Sequence, residues 1–213
     1  MKITKYVHSC LLVEEAGEHP RAALFDPGEY SPVPVDSLQR LDDIFITHQH
    51  PDHMDVALVA RLQAKFPDVR IVAPADAIVL LTQGGVKGVT ATPPEGAQLF
   101  EAPHADIRPF AETPPPQEIG IHYRNKVTHP GDSHDFHETM AMLALPVQAP
   151  WGSTVNAVRL ALELKPKYVV PIHDWHWRDE ARTGTYERLA RRFAEAGITF
   201  LKLENGVPIV IDL

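Results

Sequence analysis

The chain has 213 residues, 44% hydrophobic and 23% charged, which fits an ordinary globular protein of one large domain. Its 28 acidic against 20 basic residues give a net charge of −8, so recognition of a phosphate backbone, which needs clustered Lys and Arg, is excluded as the main task. The single cysteine, Cys10, excludes an internal disulfide and a multi-cysteine zinc knot, while 12 histidines and 20 prolines are the unusual counts.

Short strand-like runs come first: Ile3–Val7, Cys10–Glu14 and Ala22–Phe25. The apolar run Cys10–Val13 stops at Glu14 and Glu15, so it does not read as a signal peptide. No stretch approaches the roughly 18 apolar residues of a membrane span. These features predict a soluble, cytoplasmic protein with neither a membrane nor a nucleic-acid partner. Asp26-Pro27-Gly28 breaks the third strand, and Asp43–Thr47 reads as a buried strand running into a histidine-rich loop. Val59, Leu62 and Phe66 predict a helix over Asp55–Phe66, ended by Pro67. A strand at Val69–Val72 and a short helix at Ala75–Leu81 follow, stopped by Gly84-Gly85.

Strands dominate the next stretch: Gln98–Ala102, Ile107–Phe110, Ile119–Tyr123, Lys126–Thr128 and Ala141–Leu145, with Arg124-Asn125 as a turn. Ser153 can cap a helix to Leu164, and Tyr168–Ile172 is an apolar strand. Thr185 can cap a helix to Ala196 with Gly197 as its stop, and Asn205-Gly206 predicts a hairpin between Ile198–Leu203 and Val207–Ile211. There are no repeats, and no linker marks a boundary. The pattern predicts a single α/β (α+β) domain over 1–213, with helices covering sheets.

The segment His48-Gln49-His50-Pro51-Asp52-His53 holds four potential metal ligands in six residues. Histidines two apart in an extended segment point to one side, so His48 and His50 can grip one ion. After the bend at Pro51, Asp52 and His53 can face a second. Imidazole with carboxylate suits Zn²⁺, with Mn²⁺ or Fe²⁺ as alternatives. Three further candidates follow predicted strands: His104 in Ala102-Pro103-His104, Asp132 in Pro130-Gly131-Asp132, and His173 in Pro171-Ile172-His173.

In this order the motifs resemble the metallo-β-lactamase superfamily of metal-dependent hydrolases, over nearly the whole chain. Within it the chain is most similar to the compact subgroup of ascorbate-6-phosphate lactonase-like proteins. The resemblance implies an αββα sandwich of two packed mixed sheets flanked by helices, with a site at one edge. It implies a first metal on His48, His50 and His104, a second on Asp52, His53 and His173, and Asp132 bridging them. Asp26 would orient the histidine loop from behind. Two divalent ions about 3.5–4 Å apart would share a hydroxide that attacks a lactone, ester or phosphodiester, and relatives often self-associate into homo-oligomers. Asp52, His134 or His176 would protonate the leaving group.

Arg124, Lys126 and Arg178 are candidate contacts for a small anionic substrate, and Trp151, Trp175 and Trp177 either line the mouth or pack. His8, His19, His122, His129 and His137 read as ordinary surface or partly buried residues. Cys10 reads as a buried small hydrophobe, and Ser9 has no nucleophile-elbow context. Two other readings remain open: a mononuclear-iron oxygenase of the same superfamily, which would use the first ligand set, and a non-catalytic metal-binding protein.

Overall fold

Side chains that alternate between two apolar environments account for the first sheet of the computed structural model, which describes residues 1–108 and 112–213. Leu11, Val13, Ala23, Phe25, Phe45 and Val72 face one cluster, while Cys10, Leu12, Ala22, Leu24, Ile44 and Ile71 face another. This is the two-residue period of strands buried on both sides. The strands are β1 (Lys2–Lys5), β2 (Leu11–Glu15), β3 (Arg21–Phe25), β4 (Asp43–Phe45), β5 (Arg70–Val72), β6 (Val89–Thr90) and, from the end of the chain, β13 (Ile209–Val210). Their order is β13-β1-β2-β3-β4-β5-β6, antiparallel from β13 to β3 and parallel from β3 to β6.

The second sheet comprises β7 (Ala97–Phe100), β8 (Gly120–Tyr123), β9 (Val127–His129), β10 (Met142–Pro146), β11 (Tyr168–Ile172) and β12 (Thr199–Phe200), in the order β12-β11-β10-β9-β8-β7. Met142, Ala144, Val170 and Ile172 point at the first sheet, and Leu143, Leu145 and Val169 point away. Between the sheets Phe25 and Phe45 stack with ring centroids 5.2 Å apart, and Tyr123 meets both edge-on.

Helices α1 (Val56–Lys65) and α2 (Ala75–Gln83) cover the outer face of the first sheet through Leu58, Val59, Leu62, Ala77 and Leu81. Helices α3 (Thr154–Leu164) and α4 (Asp179–Ala194) cover the second through Ala157, Ala161, Tyr186, Leu189 and Phe193. This is the αββα order that the resemblance implied. Asp55 caps α1 by accepting the N–H groups of Ala57 and Leu58, and Ser153 caps α3 by accepting that of Asn156. No helix among the described residues is long and apolar enough to cross a membrane.

Three expectations are corrected. Helix α4 begins at Asp179, so Thr185 lies inside it and caps nothing. Asp179 and Glu180 in its first turn and Arg191 and Arg192 in its last complement the helix dipole. The chain's end makes no hairpin: β12 pairs in parallel with β11, and β13 pairs antiparallel with β1. Each segment completes its backbone bonding on an open sheet edge, and the turn at Gly206 carries the chain from one sheet to the other. Ile107 and Arg108 are not in a strand, and the rest of the expected Ile107–Phe110 strand lies outside the described residues.

Candidate metal centre

Topology alone brings the ligand-bearing loops together. The parallel strands β3 and β4 end side by side, with Phe25 opposite Phe45, and deliver Asp26 and the loop 46–53 to one edge. In the other sheet β9, β11 and β7 end at the same edge and lead to Asp132, His173 and His104. Because Leu11 pairs with Phe25, the tip of the β1–β2 hairpin reaches that edge too.

Three overlapping groups form there, each with ligand atoms within 4.8 Å of one another: His48, His50 and His104; His48, His53 and Asp132; and His8, Asp52, His53 and His173. All seven predicted ligand positions are in this set, and Asp132 lies between the outer groups. His53 Nε2 is 3.0 Å from Asp132 Oδ1, and His173 Nε2 is 3.1 Å from Asp132 Oδ2. His48 Nε2 faces His50 Nδ1 at 3.1 Å.

The outward nitrogens are anchored on protein oxygens. His53 Nδ1–H donates to Asp26 Oδ2 (2.8 Å), His104 Nδ1–H to the Ala105 carbonyl (2.7 Å), and His173 Nδ1–H to the Gln148 carbonyl (2.8 Å). Each bond selects the tautomer whose Nε2 lone pair is free. His104 Nε2 is buried without a hydrogen-bond partner, and His53 Nε2 and Asp132 Oδ1 face each other. Buried polar atoms rarely stay unsatisfied, so an unpartnered imidazole nitrogen beside this clustered pair fits a bound divalent cation.

Asp26 is fully buried behind this loop. Its Oδ1 accepts the Thr47 N–H (2.8 Å), and its Oδ2 accepts the Thr47 hydroxyl as well as His53. This is the orienting place expected for it. Gly28 allows the Asp-Pro-Gly turn to touch the histidine loop, because a Cβ there would lie 1.9 Å from the Asp52 carbonyl oxygen. Gly131 has φ +64°, and a Cβ there would lie 1.8 Å from Glu118 Oε1 and 2.8 Å from the Thr47 side chain. Gly131→Ala should therefore destabilise the fold by about 2 kcal/mol or more and weaken metal binding; a denaturant titration with and without Zn²⁺ measures both.

The electrostatics divide the histidines. Burial pushes His48, His50 and His104 below the ordinary imidazole value, aided by neighbouring imidazoles. Burial also opposes charge on His53 and His173, but Asp132, joined at His53 by Asp26, outweighs it and raises both. Burial alone would raise the Asp132 carboxyl; His173 and His53 hold it well below the usual range.

Two residues at the site, His8 and Glu118, went unread in the sequence, and Trp151, expected to line the mouth or pack, touches the centre. His8, taken from the sequence as ordinary, is completely buried and places Nε2 3.0 Å from Asp52 Oδ2. The buried Glu118 side chain accepts the Asp132 N–H and lies 3.4 Å from His48 Nδ1; burial and then Asp132 raise its carboxyl well above the usual range. No spacing links Glu118 to the histidine loop; only the backbone bond from Ile119 N–H to the Thr47 carbonyl brings it there. Trp151 donates its indole N–H to Asp132 Oδ2 (3.2 Å). A second reassigned histidine lies just behind the edge: His129 is fully buried, stacked on Phe25, and donates Nε2–H to the Ser9 carbonyl (3.0 Å).

The remaining candidates separate. His134 lies outside the ligand groups, with Nε2–H donating to the Pro146 carbonyl (2.8 Å) and its ring against Trp151. His176 is exposed at the rim, bonded to the Gln148 side chain, its ring 6.3 Å from that of His173. Trp175 is 41% exposed and stacks on Tyr30 at 4.0 Å, whereas Trp177 packs in the outer cluster of α3 and α4. Arg124 and Lys126 are not near the centre. They flank the β8–β9 turn at the far end of the sheet, and both pair with Glu15. Arg178 is exposed at the start of α4.

The beta-lactamase superfamily domain matches residues 2–173. The chain belongs to that superfamily. It is similar to protein Rv0786c of Mycobacterium tuberculosis, with 33% identity over 89% of this chain and 91% of that one. A UPF0173 protein of Pyrococcus abyssi is 25% identical over 98% of this chain and 100% of its own. Among solved structures, the metallo hydrolase Igni18 of Ignicoccus hospitalis shares the fold, with a TM-score of 0.72 and 21% identity over 100% of this chain and 98% of that one.

Proposed function

We propose that this superfamily member is a dinuclear metal-dependent hydrolase of a small molecule carrying a lactone, ester or phosphodiester bond. The observation that carries the reading is the convergence of inward imidazole nitrogens and carboxylate oxygens in groups within 4.8 Å of one another, several of them fixed from behind on protein oxygens. His48, His50 and His104 would hold one ion; Asp52, His53 and His173 the other; and Asp132 both. Zn²⁺ suits this donor set, and Mn²⁺ or Fe²⁺ is compatible with it. When bound, such ions supply a water acidified toward neutral pH and Lewis-acid stabilisation of a carbonyl or phosphoryl oxygen.

The chain's own residues do the rest. Asp26, Thr47 and Glu118 fix the histidine loop in advance, so no reorganisation is needed during reaction. Asp52 is 27% exposed at the mouth, where it can pass a proton to a leaving group, and His176 stands at the rim for the same task. His134 is bound to a backbone carbonyl and is the weaker donor. Trp175 and Tyr30 offer an apolar wall beside the opening. A partly exposed His50 and Asp52 favour catalysis over a closed metal-binding role. The convergence of His53 and His173 favours two ions over the single iron of an oxygenase. With Arg124 and Lys126 occupied elsewhere, negative charge on a substrate would fall to the metals and Arg178. A lactone or ester of the ascorbate-lactonase-like subgroup's kind ranks first, with any negative charge on it met by the metals.

The test joins metal analysis to turnover after reconstitution with Zn²⁺ or Mn²⁺ on a panel of lactones, esters and phosphodiesters. Two ions per chain with metal-dependent hydrolysis is expected; a single iron, or no hydrolysis anywhere on the panel, overturns the proposal. A second outcome concerns protons. In the metal-free chain Asp132 raises both His53 and His173 above the ordinary imidazole value, so each keeps its second proton to higher pH than a free imidazole does. Ligation needs them neutral, so loading should release protons, and affinity should rise with pH until both have lost them. Calorimetry in buffers of different ionisation enthalpy counts the protons released.

A further inference from the structure

We propose that His8 is a positioning residue for the second metal position, fixing the Asp52 carboxylate from the tip of the β1–β2 hairpin. The inference rests on the dinuclear reading, because it assigns His8 a part in holding one of the two ions.

Hairpin tips normally face solvent, yet this one carries a histidine with no exposed surface into the centre. The backbone bends sharply to do so: Val7 has φ +111° and His8 φ +56°. For non-glycine residues, and a β-branched valine above all, such angles cost about 1–3 kcal/mol each and persist only where surrounding contacts hold them. Those contacts are present. Tyr6 N–H bonds to the Cys10 carbonyl, Cys10 N–H bonds to the Val7 carbonyl, and His129 Nε2–H bonds to the Ser9 carbonyl from the opposite sheet. The tip is thus clamped from both sheets, and its strain is spent on the placement of one ring.

That ring lies 4.1 Å from the ring of His173 and 5.4 Å from that of His53, centroid to centroid. Its Nε2 meets Asp52 Oδ2 at 3.0 Å, the one side-chain hydrogen bond that Asp52 accepts among the described residues. A carboxylate oxygen accepts, so the ring presents its Nε2–H to Asp52 Oδ2. Without His8 this carboxylate, part exposed on its loop, would be free to turn toward water. With it, Oδ2 is fixed and the remaining lone pairs are available to a cation, the arrangement by which outer partners orient metal ligands.

The experiment uses the full chain as wild type, His8→Ala and His8→Gln, with Zn²⁺ alone as the probe and a chromophoric chelator as competitor. The wild type is expected to hold two ions. His8→Ala should keep the first and lose about 10–100-fold in affinity for the second. His8→Gln, whose amide also donates to Asp52, should recover most of that loss, which a purely structural role would not produce. Second-site affinity unchanged in His8→Ala, or no recovery in His8→Gln, overturns the proposal. Wild-type chain loaded with ¹¹³Cd²⁺ provides a check independent of variant folding: coupling from the metal to ring protons of His53 and His173 but not His8 is expected. Coupling to His8 would make it a ligand and overturn the positioning role. Fewer than two ions on the wild type would instead sink the dinuclear reading, and this inference with it.

Discussion

On the proposed dinuclear reading, Asp132→Ala should leave a folded chain that no longer holds a pair of ions, with metal-dependent hydrolysis reduced by more than about 10³-fold, beyond the roughly 10–100-fold expected on removing an outer partner. The magnitude follows from its place between the ligand groups. One oxygen lies 3.0 Å from His53 Nε2, the other 3.1 Å from His173 Nε2 and 3.8 Å from His104 Nε2. Removing it also strips His53 and His173 of the charge that raises them. Both imidazoles should then lose their protons at lower pH in the metal-free variant, visible in ¹H–¹⁵N spectra of the rings. Far-ultraviolet circular dichroism should be unchanged, because Asp132 lies after β9 and contributes to no apolar cluster. His50→Ala should likewise abolish turnover, since its ring lies 4.9 Å from the His104 ring and no neighbour replaces its nitrogen. Full activity in either variant would end the metal mechanism.

Lys5→Ala should destabilise the protein by about 3–5 kcal/mol, read as a lower urea midpoint. Lys5 Nζ lies 2.5 Å from Asp174 Oδ1, with side chains only 2% and 4% exposed. Burial pushes the amine down and opposes the carboxylate, yet the pairing holds Asp174 below the usual range. Truncating Lys5 leaves that carboxylate buried with the Tyr186 hydroxyl and the Arg182 guanidinium, whose Nε is 3.7 Å away. The double change Lys5→Met with Asp174→Leu removes both charges and should recover most of the loss, apart from about 1 kcal/mol for the Tyr186 hydrogen bond. The pair joins the end of β1 in one sheet to the residue after His173 in the other. Lys5→Ala should therefore also weaken Zn²⁺ binding in the folded fraction, whereas a loss under about 1 kcal/mol would mean that water reaches the pair.

Much of the architecture was legible because local rules decided it. The period-two runs Leu11–Val13, Ala22–Phe25 and Met142–Leu145 mark strands buried on both faces. Asp55 and Ser153 mark helix starts by the hydrogen bonds their side chains can make. The final segments were misread because Asn205-Gly206 satisfies the local chemistry of a hairpin. Which edge a strand joins depends on where unpaired backbone groups remain in the assembled sheets, and no neighbouring residue encodes that. Helix α4 was placed late for a related reason: Thr185 is an acceptable cap, but the acidic turn at Asp179 and the packing of Tyr186 and Phe193 extend the helix past it.

By itself the sequence picked out the candidate ligands of this protein: His48, His50, Asp52 and His53 are spaced so that one short loop can face two cations, and Asp26, His104, Asp132 and His173 each follow a strand. The folded chain decided what surrounds them. His8, Glu118 and Trp151 are distant in sequence from the groups they touch and belong to no spacing pattern. The same assembly sent Arg124 and Lys126 to the far end of the sheet. Ligands recur at short intervals because one loop must deliver several to one point. The groups that orient them need only a single hydrogen bond each, and any element that the packing of two sheets brings within 3 Å or so can supply it.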